Sequence, residues 1–439
     1  MGTRLQAAAR LLAIAVACVL SVGAGSAAAF ESAVSDVVRP AGSALAQGPR
    51  DCVATADRTG APLFEVSYRS EISALGGANS PVSARVRFDD GWFFGAPTTY
   101  DNDLARTCAA LSAACNSQSR ARVAGEGDAV SSLSNLGFED IDVSSYEGRS
   151  RVVDELLNVF QGETDVVAYT IAHRALHDEA GRYAGELVFV GVRGTYGSEW
   201  VSNFNVGSGG AAGVDDAPHA GFARASSEVA SSVDAYLARH GLDDGDITFL
   251  VSGHSRGGAV ANLLAAGLID RACAGGVAWS ADDVRAYTFA SPNVTGDAAR
   301  TDARYDAVFN VANPADAVTR VPLASRGMGL YGATVEIPAG AGDCSPDSFG
   351  RMQESRAQLT GCSVEGERAS AADALDVLEG ALDGMFAYSG SLGFALRAVD
   401  VAASVVNIDP VSTLVAHSPD TYLSWLSVLE PASLRFGAR

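Results

Sequence analysis

Between residues 165 and 312 the chain alternates short, nearly all-apolar runs with longer stretches in which apolar residues recur at helical spacing. The apolar runs are Asp165 to Ile171, Leu187 to Val192, Ile247 to Val251, Arg285 to Ala290 and Ala307 to Ala312. Their length and their content of Val, Ile and Phe suit buried strands. A polar hairpin loop through His177 and Gly181 joins the first two. Ala223 to His240 fits a helix, as does Ala259 to Ile269, where Val260, Leu263, Leu264 and Leu268 share one face. Strands alternating with helices predict an α/β protein with a mostly parallel central sheet covered on both faces. Upstream, Val82 to Phe94 carries an Asp89-Asp90-Gly91 turn signal, and a helix is expected from about Asp103 to Ala114. Downstream, residues 345–408 break the alternation. There, Ala371 to Tyr388 and Ser391 to Val406 predict two helices inserted late as a cap or side layer.

One segment gives the sheet a chemistry. Gly253-His254-Ser255-Arg256-Gly257 lies where the strand Ile247 to Val251 hands over to the helix starting near Ala259. Strand, Gly-x-Ser-x-Gly, helix is the context of a nucleophile elbow. Its turn strains the serine backbone, and glycines on either side remove Cβ atoms that would collide. The following helix presents N–H groups that can stabilise negative charge. A serine hydroxyl needs a histidine to take its proton, and the histidine needs an acid to orient it. In α/β-hydrolases the chain order is serine, acid, histidine. His417 is the one histidine C-terminal to Ser255. Asp316 follows the strand Ala307 to Ala312, at the strand end where sites in open α/β sheets gather. Asp306 lies at the wrong end of that strand, and Asp420 is too near His417 in sequence to be its partner. The oxyanion needs two donors: the Arg256 N–H, and Thr195 after the strand Leu187 to Val192, with Gly194 allowing close approach.

Composition sets the surroundings. A hydrophobic fraction of 48% is ample for a core and argues against disorder. Arg4 and Arg10, the apolar Leu11 to Leu20, and Ala27-Ala28-Ala29 read as a secretory signal over residues 1–29. No later stretch suits a membrane span, so no stable anchor is expected. Residues 30–60 read as a loosely held arm. Without Cys18, six cysteines remain, an even number that predicts disulfides and no free thiol in an exported chain. Cys344 and Cys362 are expected to close a local loop. Cys108 and Cys115 are out of bonding reach if one continuous helix carries both. The net charge of −21 argues against nucleic acid and anionic membranes as partners. All basic residues are arginine, which points to nucleotide bias in the genome rather than function. His173 and His177 fall in a hairpin, and the Asp-rich runs at 89–91 and 243–246 read as turns. No metal or other cofactor is expected.

At this point the chain resembles the class 3 lipases, the fungal-lipase-type branch of the α/β-hydrolases. The matching residues are Arg193-Gly194-Thr195, Trp200-Val201-Ser202-Asn203-Phe204, His219-Ala220-Gly221-Phe222, the elbow through Gly258, Thr288-Phe289-Ala290-Ser291-Pro292, Asp316-Ala317-Val318 through Pro322, and His417. The resemblance covers about 165 to 325. It implies Ser255 as nucleophile, Asp316 as acid, His417 as base, Thr195 and Arg256 at the oxyanion hole, and a structural rather than catalytic His219. It also implies a lid from Tyr196 to about Asn205, carrying Trp200 and Phe204. The sequence separation of 101 from Asp316 to His417 is long for the family, an effect of the insertion. Residues 30–130 are expected to be an arm and packing elements, and 131–439 the hydrolase domain with its insertion. The expected protein is a secreted serine lipase or carboxylesterase acting on acylglycerol-type or other acyl esters. The alternatives are a phospholipase or short-chain esterase, an acyl transferase, and a non-catalytic binding protein on the same scaffold.

Overall fold

The structure is a computed structural model describing residues 34–35, 37–41, 62–78, 80–118, 126–146, 167–194, 220–320, 324, 327–365, 376–377, 380, 410–430 and 434–436. In chain order, the N-terminal part supplies β1 (Val38–Pro40), β2 (Leu63–Tyr68), α1 (Glu71–Leu75), β3 (Val82–Arg87), α2 (Asn102–Gln118) and α3 (Asp128–Asn135). The middle supplies β4 (Glu139–Asp142), β5 (Tyr169–His177), β6 (Tyr183–Val192), α4 (Ala220–His240), β7 (Ile247–His254), α5 (Arg256–Ala274), β8 (Val284–Phe289) and β9 (Val308–Ala312). The end supplies β10 (Ala333–Glu336), α6 (Pro346–Thr360), β11 (Cys362–Val364), α7 (Pro410–His417), α8 (Pro419–Val428) and β12 (Arg435–Phe436).

Among the described residues, eight strands form the central sheet in the order β12-β10-β9-β8-β7-β6-β5-β4. The five from β6 to β10 are parallel, and antiparallel strands close both edges. Side-chain alternation fills both faces. On β7, Ile247, Phe249 and Val251 pack with α4 and α5, whereas Leu250 faces the cluster built from α2 and α8. Strands buried on both faces read as unbroken apolar runs rather than alternating ones, which is the pattern of the sequence here. Fully burying one such side chain contributes about 2 kcal/mol. A mostly parallel sheet, helices on both faces and a strand–turn–helix at Ser255 make this the α/β-hydrolase fold.

The expected central elements are present, most of them a few residues longer than the apolar runs. The strand expected from Asp165 begins at Tyr169. The helices expected at 371–388 and 391–406 fall almost wholly outside the described residues. The arm expected at 30–60 is held where it is described. Val38–Pro40 pairs antiparallel with Cys362–Val364, and Val34 and Val38 are buried with Ile72, Val411 and Val415. Val38 there finds an apolar cross-strand partner in Val364 that local composition does not reveal.

The disulfide expectation needs correction. Among the described residues, Cys108, Cys115, Cys273, Cys344 and Cys362 are all free thiols, and Cys52 lies outside them. Cys344 and Cys362 flank opposite ends of α6. Its 15 residues span about 22 Å, against a Cα separation of roughly 6 Å in a disulfide. The helix is well delimited: Ser345 caps it, Pro346 opens it, and Gly361 (φ +71°) ends it. Cys108 and Cys115 share the unbroken α2, which keeps them apart as expected. Among the described residues, no helix is long and apolar enough to cross a membrane.

Candidate active site

Three strand ends and one helix end build the site. β7 runs straight into Ser255, whose backbone sits at φ 58°, ψ −130°, outside the regions an L-residue favours. The strain persists because its surroundings fix it. The Ser255 N–H donates to the Phe289 carbonyl at 2.8 Å. A Cβ on Gly253 would strike the Gly257 carbonyl, and one on Gly257 would strike the backbone of Val192 and Arg193. The turn therefore closes only with glycine at both positions. Arg256 opens α5, so its amide lies in the first helical turn beside Ser255.

Asp316 follows β9 in a loop held by its own polar groups. The Asn313 side chain accepts from the Ala315 N–H at 3.0 Å and donates to the Ala416 carbonyl at 3.1 Å. His417 ends α7, because Ser418 caps the next helix and Pro419 starts it. The three residues meet. His417 Nε2 lies 3.0 Å from Ser255 Oγ, and its Nδ1 lies 2.8 Å from Asp316 Oδ2. A carboxylate only accepts, so Nδ1 carries the proton and Nε2 presents its lone pair to the hydroxyl. All three side chains are buried. This arrangement can take the proton from Ser255 and stabilise the imidazolium that forms.

Sequence reasoning missed two supports. The Tyr422 hydroxyl donates to Asp316 Oδ2 at 3.1 Å and accepts from the Asn313 N–H at 3.0 Å. Burial first, then the neighbouring Asp316 carboxylate, raises the Tyr422 phenol well above its ordinary range, so it stays a donor. The second support is Asn116 on α2. Its Oδ1 accepts from the Gly194 N–H at 2.7 Å, and its Nδ2 lies 3.5 Å from His254 Nδ1. His254 Nε2 donates in turn to the His417 carbonyl at 2.8 Å. Burial, then nearby His417, holds the His254 imidazole well below the usual histidine range, hence neutral. The turn at Ser255, His417 and the end of β6 are thus tied to α2. Tyr422 stands five residues after His417, and Asn116 lies in a helix with no apolar periodicity of note, so nothing local marked either.

Of the other expected residues, Asp420 accepts from Tyr68, Ser70 and Ile72 and does not touch His417. His177 sits beside Asp90, whereas His173 bonds Tyr236, so the two histidines do not converge. Thr195, Trp200, Phe204 and His219 lie outside the described residues.

Residues 189–326 match the profile of the class 3 lipases. This lipase-matching segment holds the elbow and Asp316, while His417 lies beyond it. No curated protein sequence matches the chain. Among solved structures, the chain is similar to lipase II from Rhizopus niveus: 17% identity, TM-score 0.35, covering 55% of this chain and 84% of that one. For the lipase from Rhizopus microsporus var. chinensis the values are 19%, 0.32, 53% and 72%. For the Rhizomucor miehei triacylglyceride lipase they are 18%, 0.26, 39% and 62%. In a propeptide complex of that Rhizomucor lipase the chain spans 52% of the other chain's length.

Proposed function

We propose that this protein is an exported serine ester hydrolase cleaving acyl esters, acylglycerol-type lipids foremost, through an acyl-enzyme on Ser255. The hydrogen-bonded series from Ser255 through His417 to Asp316 carries the reading, and the class 3 lipase match over residues 189–326 supports it. In this reading Ser255 Oγ attacks the ester carbonyl carbon while its proton passes to His417 Nε2. The Arg256 amide and Thr195 hold the oxyanion. Collapse of the tetrahedral adduct releases the alcohol, which takes the proton from His417. Water, deprotonated by the same imidazole, then frees the acid and restores Ser255. The reaction balances with ester and water alone. Trp200 and Phe204 belong to a lid over the acyl group. Residues 1–29 form the export leader, 30–130 the N-terminal packing elements and 131–439 the hydrolase domain with its insertion.

The test is labelling of the mature protein with a fluorophosphonate, followed by peptide mapping, with His417→Ala in parallel. Label on Ser255 in the wild type alone, with kcat on a p-nitrophenyl ester reduced roughly 10⁴-fold in the variant, is the expected result. An unlabelled wild-type Ser255, with detergent present to open a lid, overturns the reading. A rate that jumps when a long-chain ester passes its solubility limit identifies a lipase, and a flat response identifies an esterase.

A further inference from the structure

On the opposite flank of the sheet from β10, three side chains from different elements converge without any part in ester chemistry. Asp140 comes from β4, His173 from β5 and His240 from the last position of α4. One potential ligand atom from each lies within 4.8 Å of the other two. We propose that Asp140, His173 and His240 form a binding site for a divalent transition-metal ion of the zinc class. The site is independent of the hydrolase reading.

The surrounding bonds prepare the ligands. The Tyr236 hydroxyl donates its one proton to the Asp140 carbonyl at 3.0 Å. Its 2.8 Å contact with His173 Nδ1 must then run the other way, with Nδ1–H donating to the phenol oxygen. The His173 proton is thereby fixed on Nδ1, and Nε2 keeps its lone pair. Ligating histidines are oriented in this way by a partner on the second nitrogen. Asp140 is placed by an irregularity in the ladder: Glu139 pairs with His173 and Asp142 with Ile171, leaving two residues opposite one. Asp140 itself takes φ +48°. Such a bulge re-aims a side chain at a cost in backbone strain, and here Asp140 Oδ2 comes to 3.2 Å from His240 Nδ1. Two ligands of one tetrahedral zinc, each bonded at about 2.0–2.1 Å, stand roughly 3.3 Å apart. Arg239, next in sequence to His240, is held by Asp142 at 3.0 Å. Asp140 is exposed and both histidines are partly so, leaving an entry path and room for a water as fourth ligand. His173 lies opposite Val188 in mid-β6, whereas Ser255 lies beyond the end of β7. Bound metal would therefore clamp the sheet edge to the end of α4 and leave the reaction alone.

The experiment uses the full mature chain, stripped with EDTA and titrated with Zn²⁺ by calorimetry, and with Co²⁺ by absorption. Expected are one equivalent of Zn²⁺, a melting temperature that rises with Zn²⁺ and falls back with EDTA, and a tetrahedral Co²⁺ spectrum without thiolate charge transfer. His240→Gln and the pair His173→Gln/His240→Gln should weaken binding tenfold or more while p-nitrophenyl ester turnover is kept. Zn²⁺ affinity unchanged in the double variant, a thiolate spectrum, or no uptake by the wild type would each overturn the site.

Discussion

Tyr422 donates its hydroxyl to the same oxygen of Asp316 that receives His417, at 3.1 and 2.8 Å respectively. The Val318 N–H occupies the other carboxylate oxygen at 2.9 Å. Asp316 is thus held by three donors, and the direction of the His417 imidazole follows from that grip. Tyr422→Phe removes one donor and also leaves the Asn313 N–H without its acceptor. A hydrogen bond to a charged group contributes about 1.5–3 kcal/mol. We expect kcat to fall about tenfold or more with KM little changed, because the bond matters most when His417 is charged. Steady-state kinetics on a soluble ester decide it: a change confined to KM would mean that Tyr422 acts on substrate binding and not through Asp316 and His417.

The thiols should separate sharply by burial. Cys108 faces Ser252 and Cys115 faces Thr170, both beneath the sheet. Burial pushes the Cys115 thiol up to about 12, and the Cys108 thiol higher still. Since the thiolate is the reactive form, both should resist iodoacetamide in the native protein at pH 8. The exposed Cys273 should react within minutes. In urea, without reductant, Cys108, Cys115, Cys273, Cys344 and Cys362 should all take the label. Mass mapping that finds Cys344 or Cys362 unlabelled in urea would reinstate a bridge.

Sequence patterning reached the sheet because its central strands are buried on both faces, so each apolar run announced itself. It named Ser255, Asp316 and His417, which the structure brings within hydrogen-bond distance, because the Gly-x-Ser-x-Gly turn has a local signature and only one histidine follows it. It did not reach β2, α1 or α3, which are short and half-polar, with burial supplied by partners far along the chain. It misjudged Cys344 and Cys362 because counting cysteines says nothing about the 15-residue helix between them. Asn116 and Tyr422 escaped for a related reason: their chemistry lies in the atom they face, across 78 residues to Gly194 and 106 residues to Asp316.

Asp420 ties the N-terminal elements to the helix junction at His417 and Ser418. Its carboxylate accepts from Tyr68 Oη at 2.7 Å, Ser70 Oγ at 2.8 Å, the Ile72 N–H at 3.1 Å and Ser418 Oγ at 3.0 Å, all buried. Asp420→Ala strands these donors, and each buried unsatisfied group costs about 1–3 kcal/mol. We expect a loss of roughly 3 kcal/mol or more in urea unfolding, with Asp420→Asn recovering part of it. Because Ser418 adjoins His417, turnover should drop alongside stability. A loss below 1 kcal/mol would show that residues 68–72 are not anchored through this carboxylate.

His254 gives the stability a pH dependence whose sign is fixed by its burial. In the unfolded chain a histidine titrates near 6.5, whereas burial and His417 hold the folded-state value well below that. Above about pH 6.5 neither state carries the proton, and the full stability is present. As pH falls further, the unfolded chain takes up a proton that the folded chain refuses. Unfolding free energy then drops by about 1.4 kcal/mol per pH unit from this group, until the folded state is protonated as well. His254→Gln keeps an N–H in reach of the His417 carbonyl and cannot titrate. Its absolute stability will shift, but the informative quantity is the slope. Urea unfolding at intervals from pH 7.5 to 5 should give a slope shallower by close to one proton in the variant, since all other groups are common to both chains. Parallel slopes would mean that His254 accepts its proton as readily folded as unfolded, and the neutral tautomer that holds the His417 carbonyl would have to be abandoned.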